Sequence, residues 1–377
     1  MDLSFTKEQK LIRDAAAEFL KNECPRDLVR QMENDDLGYP PELWSKMAEL
    51  GWLGLIIAEE YGGLGGSFLE LVVLLEEMGK YLVPSPIIPT EVLGGLSIMY
   101  AGTEEHKKKY LPKVAKGELL LTMALNQNNN NQDGIETDFQ ITKKGKDSMI
   151  SGTRLFVPYA HVSDYIVCPI QMKDNQEKEN ELSLFLIEGK SSGVSCTQLE
   201  TTACDKQCKL VFNSVKLDRE NILSGCRSGS EVVRNVLERA ALAQCALMIG
   251  GGEAVLRMTV DHAKKRVQFD RPIGSFQAVQ HRCANMLVDL DGARYSTYLA
   301  AWKIDEGLPC TLDISVAKAW ANQAYQRICA NGHQVIGGTG VMMDHDMQLY
   351  SRRAKAAEFI WGDTVFHKEI IAQQLGL

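Results

Sequence analysis

Residues 266–277 read Arg-Val-Gln-Phe-Asp-Arg-Pro-Ile-Gly-Ser-Phe-Gln, and this stretch organises everything around it. Upstream, Val255 to Ala263 carries apolar residues at helical spacing, so Arg266 and Phe269 are predicted to leave the end of a long helix on one face, three residues apart. Pro272 and Gly274 then predict a turn, because proline cannot continue a helix and glycine tolerates a reversed backbone. Gln277 reopens a helical pattern through Val279, Met286 and Leu290. A guanidinium at the corner between two helices has two readings. It can grip a pyrophosphate with a bidentate fork, or it can cap the carbonyls at a helix end.

The bulk properties narrow the function classes. A net charge of −8 over 377 residues leaves no global positive field to draw in nucleic acid. Mean hydropathy is −0.16 and no uninterrupted apolar run is long enough to span a bilayer, so no membrane segment is expected. Met1-Asp2-Leu3-Ser4-Phe5 lacks the basic start and apolar core of a signal peptide. The ten cysteines contain no CxxC pair and the histidines no HExxH, which points to reduced, mostly core thiols in a cytoplasmic protein and to no expected metal site, metal binding by cysteines being the lesser alternative.

From Leu3 to about Ala115 the periodicity is helical. Thr6 precedes Leu11, Ile12, Ala15, Ala16 and Phe19 at three- and four-residue intervals, Pro25 ends that helix, and Pro40-Pro41 starts the next. Gly62, Gly63, Gly65 and Gly66 predict a tight, accessible turn rather than a phosphate loop, since no Lys-Ser or Lys-Thr follows. Leu69 to Leu82 is another helical block, broken by Pro84, Pro86 and Pro89, and Lys107 to Lys109 has two readings, a solvated helix face by default or a contact for a ligand's phosphates. Around Leu119 the period changes. Six short apolar or alternating runs, the last at Lys209 to Phe212, predict a small antiparallel β domain.

From Glu231 the helical period returns. Gly250-Gly251-Gly252 lies inside it, and three glycines in a helix, each costing about 1 kcal/mol relative to alanine, imply close approach of a neighbouring helix. Further helices are predicted from Gln277 to about Glu306, Leu312 to about Gly332 and Met347 to the end, giving a four-helix bundle. The chain divides as 1–118 helical, 119–222 β, and 223–377 helical bundle.

Two motifs carry a resemblance: the Arg266–Gln277 stretch, and Gln334-Val335-Ile336-Gly337-Gly338-Thr339-Gly340 followed by Asp344 and Arg352. Both are similar to flavin-binding segments of the acyl-CoA dehydrogenase family. Glu59-Glu60-Tyr61-Gly62-Gly63 and Thr103-Glu104-Glu105 through Tyr110-Leu111-Pro112 resemble further family segments, so the similarity covers nearly the whole chain. The resemblance implies the acyl-CoA dehydrogenase fold: an N-terminal all-α domain, a middle antiparallel β domain and a C-terminal four-helix bundle. It implies FAD as cofactor, held by Arg266, Phe269, Gln277, Gln334, Gly337 and Gly338, usually across a subunit boundary. Ser151 to Ala160 looks like the family strand that packs an aromatic residue on the flavin, which implies that role for Phe156, with Arg154 where lysine is usual.

The implied reaction is α,β-dehydrogenation of an acyl-CoA thioester. A carboxylate takes the α-proton, FAD accepts hydride, and a backbone amide with the flavin ribityl hydroxyl polarises the thioester oxygen. Aligning Arg352-Arg353-Ala354-Lys355 with the family pattern puts Trp361 where many relatives carry the catalytic glutamate. A second branch has its glutamate before an arginine on the first bundle helix, which implies Glu238 as base and Arg239 as a substrate contact. The register is two residues long, however, and an ungapped helix puts Ala240 at that position. Leu247 stands where other relatives carry a glutamate, and Asn126 to Asp133 replaces a flavin- and thioester-touching segment.

The ending Trp361-Gly362-Asp363-Thr364 with His367 resembles bacterial members that handle bulky or unusual acyl groups. The implied partners are an acyl-CoA, an electron-transfer flavoprotein and other subunits, in a dimer or tetramer, either identical or unlike. A non-catalytic, FAD-sharing subunit and a related flavoenzyme of other chemistry are the alternatives.

Overall fold

In the computed structural model the described residues are 5–127, 135–136, 139–144, 147–172, 181–223 and 228–377. Met1 to Ser4 and residues 128–133 of the amide-rich stretch lie outside them.

The helices in chain order are α1 (Lys7–Glu23), α2 (Arg26–Asn34), α3 (Pro41–Glu49), α4 (Phe68–Tyr81), α5 (Leu96–Ala101), α6 (Glu104–Ala115), α7 (Gly229–Lys265), α8 (Gln277–Asp305), α9 (Thr311–Ile336), α10 (Gly338–Val341), α11 (Met347–Phe359) and α12 (Thr364–Gln374). The strands are β1 (Leu121–Met123), β2 (Asn126–Gln127), β3 (Ile135–Glu136), β4 (Gln140–Lys144), β5 (Asp147–Pro158), β6 (Tyr165–Met172), β7 (Glu181–Glu188), β8 (Val194–Leu199), β9 (Gln207–Leu217), β10 (Ile222–Leu223), β11 (Val267–Gln268) and β12 (Arg271–Pro272). Packing groups them into two compact units. One comprises residues 1–31, 67–83 and 241–377; the other comprises 32–66 and 84–240.

In the first unit the glycines of α7 do what three glycines in a helix predict. A Cβ on Gly250 would stand 1.9 Å from the Glu76 carbonyl oxygen of α4, and one on Gly79 would stand 2.2 Å from that of Leu247. At this contact Arg294 of α8 binds Glu76 at 3.0 Å and Glu253 at 2.7 Å, while Lys80 binds Glu77 at 2.7 Å and Glu253 at 3.0 Å. Buried ionised groups persist only when paired, and here three helices supply the pairs. The end of α4 is closed by Leu82 in the left-handed region and by side-chain donors. Arg26 donates to the carbonyls of Lys80 and Tyr81, Tyr350 to Lys80, and Arg353 to Leu82. Below that cap α9 packs against α8, α11 and α12.

The second unit holds two four-stranded sheets, ordered β1-β6-β7-β10 and β4-β5-β9-β8. Ile166, Cys168, Ile170 and Phe185 of one share a buried core with Ile150, Leu210, Phe212 and Val215 of the other. Arg154 is buried with them, its guanidinium 3.7 Å from the centroid of the Phe139 ring.

Several expectations need correction. The β region is not wholly antiparallel, since β1 pairs with β6 in parallel. α1 does end before Pro25, but the next helix is not the one at Pro41: α2 begins directly after Pro25, because proline is tolerated ahead of a helix as well as after one. Pro89 does not prevent helical structure either. It sits in the first turn of a π-helical stretch, Ile88–Gly95, where its missing N–H is not needed. The final helix is two, broken at residues 360–363. β8 escapes periodicity because it is an exposed edge strand without a buried alternation.

Glu91 lies within the π-helical stretch, fully buried. Its Oε1 accepts from the Ile56 amide at 3.1 Å, and its Oε2 has no hydrogen-bond partner among the described residues. Burial pushes its carboxyl from the usual 4.5 up to about 8. The folded chain therefore holds a proton there that the unfolded chain releases, so this group's stabilisation is present below about 4.5 and lost as pH rises through about 8. Glu91→Gln should match the wild type in urea midpoint at pH 5 and exceed it at pH 9; an unchanged difference between the two pH values would count against a neutral Glu91. Gly250→Ala should lower stability by roughly 1–3 kcal/mol, overpacking outweighing the helix-propensity gain of about 1 kcal/mol. Gly252→Ala, whose Cβ would meet only the mobile ends of Ile328 and Leu290, should cost less in the same denaturation experiment.

Candidate functional site

The Arg266–Gln277 corner is built differently from the helix end that its spacing predicts. Arg266 does end α7, its amide donating to His262 at 2.8 Å. Phe269, however, is not on the face of that helix. β11 and β12 form a two-residue hairpin in which Gln268 pairs with Arg271, leaving Phe269 and Asp270 as its tip with φ of 53° and 64°. Two positive φ values are what a type I′ hairpin requires, and they project the Phe269 ring until it is 86% exposed. The reversal thus lies at Phe269-Asp270 and not at Pro272 and Gly274. Gly274 serves close approach instead, since a Cβ there would be 3.1 Å from the Ala263 carbonyl oxygen. α8 begins at Gln277 without a side-chain cap on its amides, the arrangement that lets a helix N-terminus take an anion.

The glycine turn stands beside this corner. Gln334 is exposed near the end of α9, and Gly337 ends that helix with φ 75° and ψ −152°, a conformation essentially reserved for glycine. A Cβ on Gly337 or Gly338 would meet nothing within 4 Å, so both present open backbone. Arg282 of α8 donates to Asn331 of α9 at 2.8 Å, tying the two segments together. Burial first, then the charges of Arg266 and His345, lower the pKa of His262; burial and His345 lower that of His333. The Nδ1 of His333 is buried with no hydrogen-bond partner among the described residues. Exposed cationic side chains, uncapped helix amides, open glycines and a buried polar atom in want of a partner form a donor set that fits the pyrophosphate and ribose of FAD.

Trp361 lies elsewhere in the same unit. It and Gly362 break α11 from α12, with φ of 60° and 98°. The turn packs at the level of Lys318 on α9, whose Nζ donates to the Gly362 carbonyl oxygen at 3.1 Å. Lys318 and Gln334 are sixteen residues apart on α9, roughly 24 Å at about 1.5 Å per residue. The structure therefore does not bring Trp361 to the Arg266 corner.

In the other unit Phe156 occupies a bulge of β5 between Arg154 and Val157, with φ 56° and its ring 58% exposed. A bulge re-aims a side chain, and here it turns a strand phenylalanine out of the sheet. Of eight non-glycine residues at positive φ among those described, Phe156, Phe269 and Trp361 are thus three. Backbone strain collects at functional sites, and these are the three aromatic members of the predicted set.

Glu238 and Arg239 lie half-buried on α7, which runs unbroken from Gly229 to Lys265. Arg239 donates to the Asn235 carbonyl oxygen at 3.1 Å and stands 5.5 Å from the centroid of the Tyr100 ring. Ala240 is fully buried. Leu247 belongs to the close contact with Gly79. Among the described residues no cluster of His, Cys, Asp or Glu is arranged to hold a metal ion, and no helix is long and apolar enough to cross a membrane.

Lys318 is absent from the sequence reading, and His367 enters it only as part of the chain's ending. The available signal was a lysine in register with an apolar stripe, four residues after Ile314 and seven before Tyr325.

Comparison with known proteins gives the family of the chain. Residues 6–118 match the family model of the acyl-CoA dehydrogenase N-terminal domain, and residues 227–376 that of the C-terminal domain. The chain is 30% identical over 362 residues to the acyl-CoA dehydrogenase FadE27 of Mycobacterium tuberculosis, covering 93% of this chain and 92% of that one. It superposes on the ChsE4–ChsE5 complex from Mycobacterium tuberculosis with a TM-score of 0.90 and 29% identity, covering 100% of this chain and 99% of that one. It also superposes on a variant of the Tcur3481–Tcur3483 steroid ACAD with a TM-score of 0.87 and 26% identity, covering 98% of each chain. The chain belongs to the acyl-CoA dehydrogenase family of FAD-dependent oxidoreductases.

Proposed function

We propose that this protein dehydrogenates the α,β bond of an acyl-CoA thioester bearing a bulky, ring-containing acyl group, works in the cytoplasm, and passes the electrons to an electron-transfer flavoprotein. The reading is carried by the cationic corner at Arg266 lying beside the open glycines 337 and 338, a clasp for a dinucleotide. Arg266 would hold the pyrophosphate with its guanidinium fork, Gln277 and Gln334 would orient the same group, and Gly337 and Gly338 would let it approach the backbone. Phe156, Phe269 and Trp361 offer aromatic surface to the cofactor. FAD, when bound, supplies the hydride acceptor. Glu238 takes the α-proton, the backbone amide at Trp361 polarises the thioester oxygen, and Arg239 engages the substrate.

The roughly 24 Å of α9 between Lys318 and Gln334 supports a further assignment. With the two places that far apart along α9, the corner would hold the cofactor of a neighbouring subunit and the Trp361 turn would lie toward the chain's own. Exposed apolar side chains on α8 (Leu287, Val288, Tyr295) and after the glycine turn (Val341, Met342, Met343) are suited to that oligomer. We divide the chain accordingly into an N-terminal helical domain (1–118), a β domain (119–222) and a bundle (223–377).

A second reading is favoured by one residue. Trp361 cannot accept a proton, and the likeness to the ChsE4–ChsE5 complex fits an unlike-subunit assembly in which this chain shares FAD without turning substrate over.

Anaerobic titration with straight, branched, aromatic and fused-ring acyl-CoA thioesters separates the two. On the dehydrogenase reading the flavin band bleaches with a ring-bearing thioester, and Glu238→Gln slows bleaching by about 100-fold or more with FAD retained. A yellow protein that bleaches with none of the panel establishes the partner-subunit reading instead. Arg266→Ala should weaken FAD binding by about 10-fold or more, the loss of a charge-assisted hydrogen bond, as read by fluorescence titration of the apoprotein.

A further inference from the structure

The turn that carries Trp361 is held from inside the bundle by two buried basic side chains. Lys318 is fully buried, and its Nζ donates to Asn322 Oδ1 at 2.6 Å, to the Ala357 carbonyl oxygen at 3.0 Å and to that of Gly362 at 3.1 Å. An ammonium has three N–H groups, and all three are used. His367 is also buried; its Nε2 donates to the Trp361 carbonyl oxygen at 2.9 Å, leaving Nδ1 to accept from Ser315 Oγ at 3.3 Å. A Cβ on Gly362 would stand 2.5 Å from Phe366 and 2.7 Å from His367, so only glycine fits against the imidazole. Asp363 then caps α12 by accepting from the Phe366 amide at 2.8 Å.

The two carbonyls of the turn are therefore fixed inward, one by each basic residue. In a trans peptide the N–H opposes the C=O, so the Trp361 carbonyl on His367 sets the direction of the Gly362 amide, and the Gly362 carbonyl on Lys318 sets that of Asp363. A tryptophan at φ 60° persists only where its surroundings over-determine it. An apolar side chain would fill the same space on α9 without desolvating a charge, so packing alone does not call for a lysine there.

We propose that Lys318, acting with His367, is a positioning residue that holds the Trp361–Gly362 turn in its left-handed form and thereby sets how the indole stands against the flavin. The proposal rests on the reading of Trp361 as a cofactor contact. Burial pushes Lys318 down to about 8, opposed by Cys245 on α7, Asp363 in the turn and Glu358 on α11. His367 on α12 is pushed down to about 4 by burial and by Lys318, so it stays neutral through this range. Above about pH 8 the neutral amine has two N–H groups for three acceptors, and the set of hydrogen bonds that includes the Gly362 tie is loosened.

The test uses the full chain reconstituted with FAD and follows flavin fluorescence from pH 6.5 to 9, alongside melting temperature. Wild type should show a change in flavin emission with a midpoint near pH 8. Lys318→Met should raise the emission at neutral pH several-fold, as indole quenching is lost, and abolish the pH step. Asn322→Ala, which removes one acceptor from Nζ and also a second donor, at 3.4 Å, from the Gly362 carbonyl, should shift the midpoint while keeping the fold. A Lys318→Met protein that melts earlier yet keeps wild-type emission and its pH step overturns the proposal, and so does a wild-type emission flat across the range. Trp361→Ala with unchanged flavin emission removes the underlying reading and the proposal together; a changed emission there with Lys318→Met silent removes the proposal alone.

Discussion

The bundle rests on how closely two helix backbones approach. Gly79 lies against the Leu247 carbonyl and Gly250 against that of Glu76, distances that no side chain at those positions would allow. With α4 and α7 this near, Arg294, Lys80, Glu76, Glu77 and Glu253 are confined between helices and must pair with one another. The contact also fixes the line of α7, and so the place of Arg266 at its end.

Strained backbone recurs at three aromatic positions of the chain. Phe156, Phe269 and Trp361 each take a left-handed conformation costing about 1–3 kcal/mol, and each by a different device. Phe156 is turned out by a β-bulge, Phe269 by a two-residue hairpin, and Trp361 by a turn whose carbonyls are tied to His367 and Lys318. Three unrelated devices thus give an aromatic residue the same left-handed backbone, with the side chains of Phe156 and Phe269 exposed and that of Trp361 buried.

Much of the fold was legible because its signals are local. The capping box at Thr6, proline in the first turn of α3, and the 3.6-residue apolar period of α4, α7, α8 and α9 depend only on near neighbours. What escaped depends on distant ones. Pairing of β1 with β6 in parallel cannot be read from either strand, and β8 has no buried face to alternate. The Phe269-Asp270 hairpin lacks the Asn-Gly or Asp-Gly signature of its turn type, so Pro272 and Gly274 drew the reversal to the wrong place. The residue types of the candidate site were recoverable from motifs, but not that Trp361 stands far along α9 from the Arg266 corner. Lys318 was invisible for a related reason: a lysine in a helix reads as solvated until the carbonyls of a turn some forty residues away are found on its ammonium.

That separation supports the proposal that the corner serves a cofactor belonging to a second copy of the chain or an unlike partner. A ligand clasped across a boundary must promote association, because it binds the assembled form better than the separated one. Sedimentation velocity of the apoprotein with substoichiometric FAD, followed at the flavin band, reads this directly. The account predicts flavin only in the oligomer boundary, with the monomer fraction falling as FAD is added. Flavin travelling with the monomer, at an affinity independent of protein concentration, would contradict it.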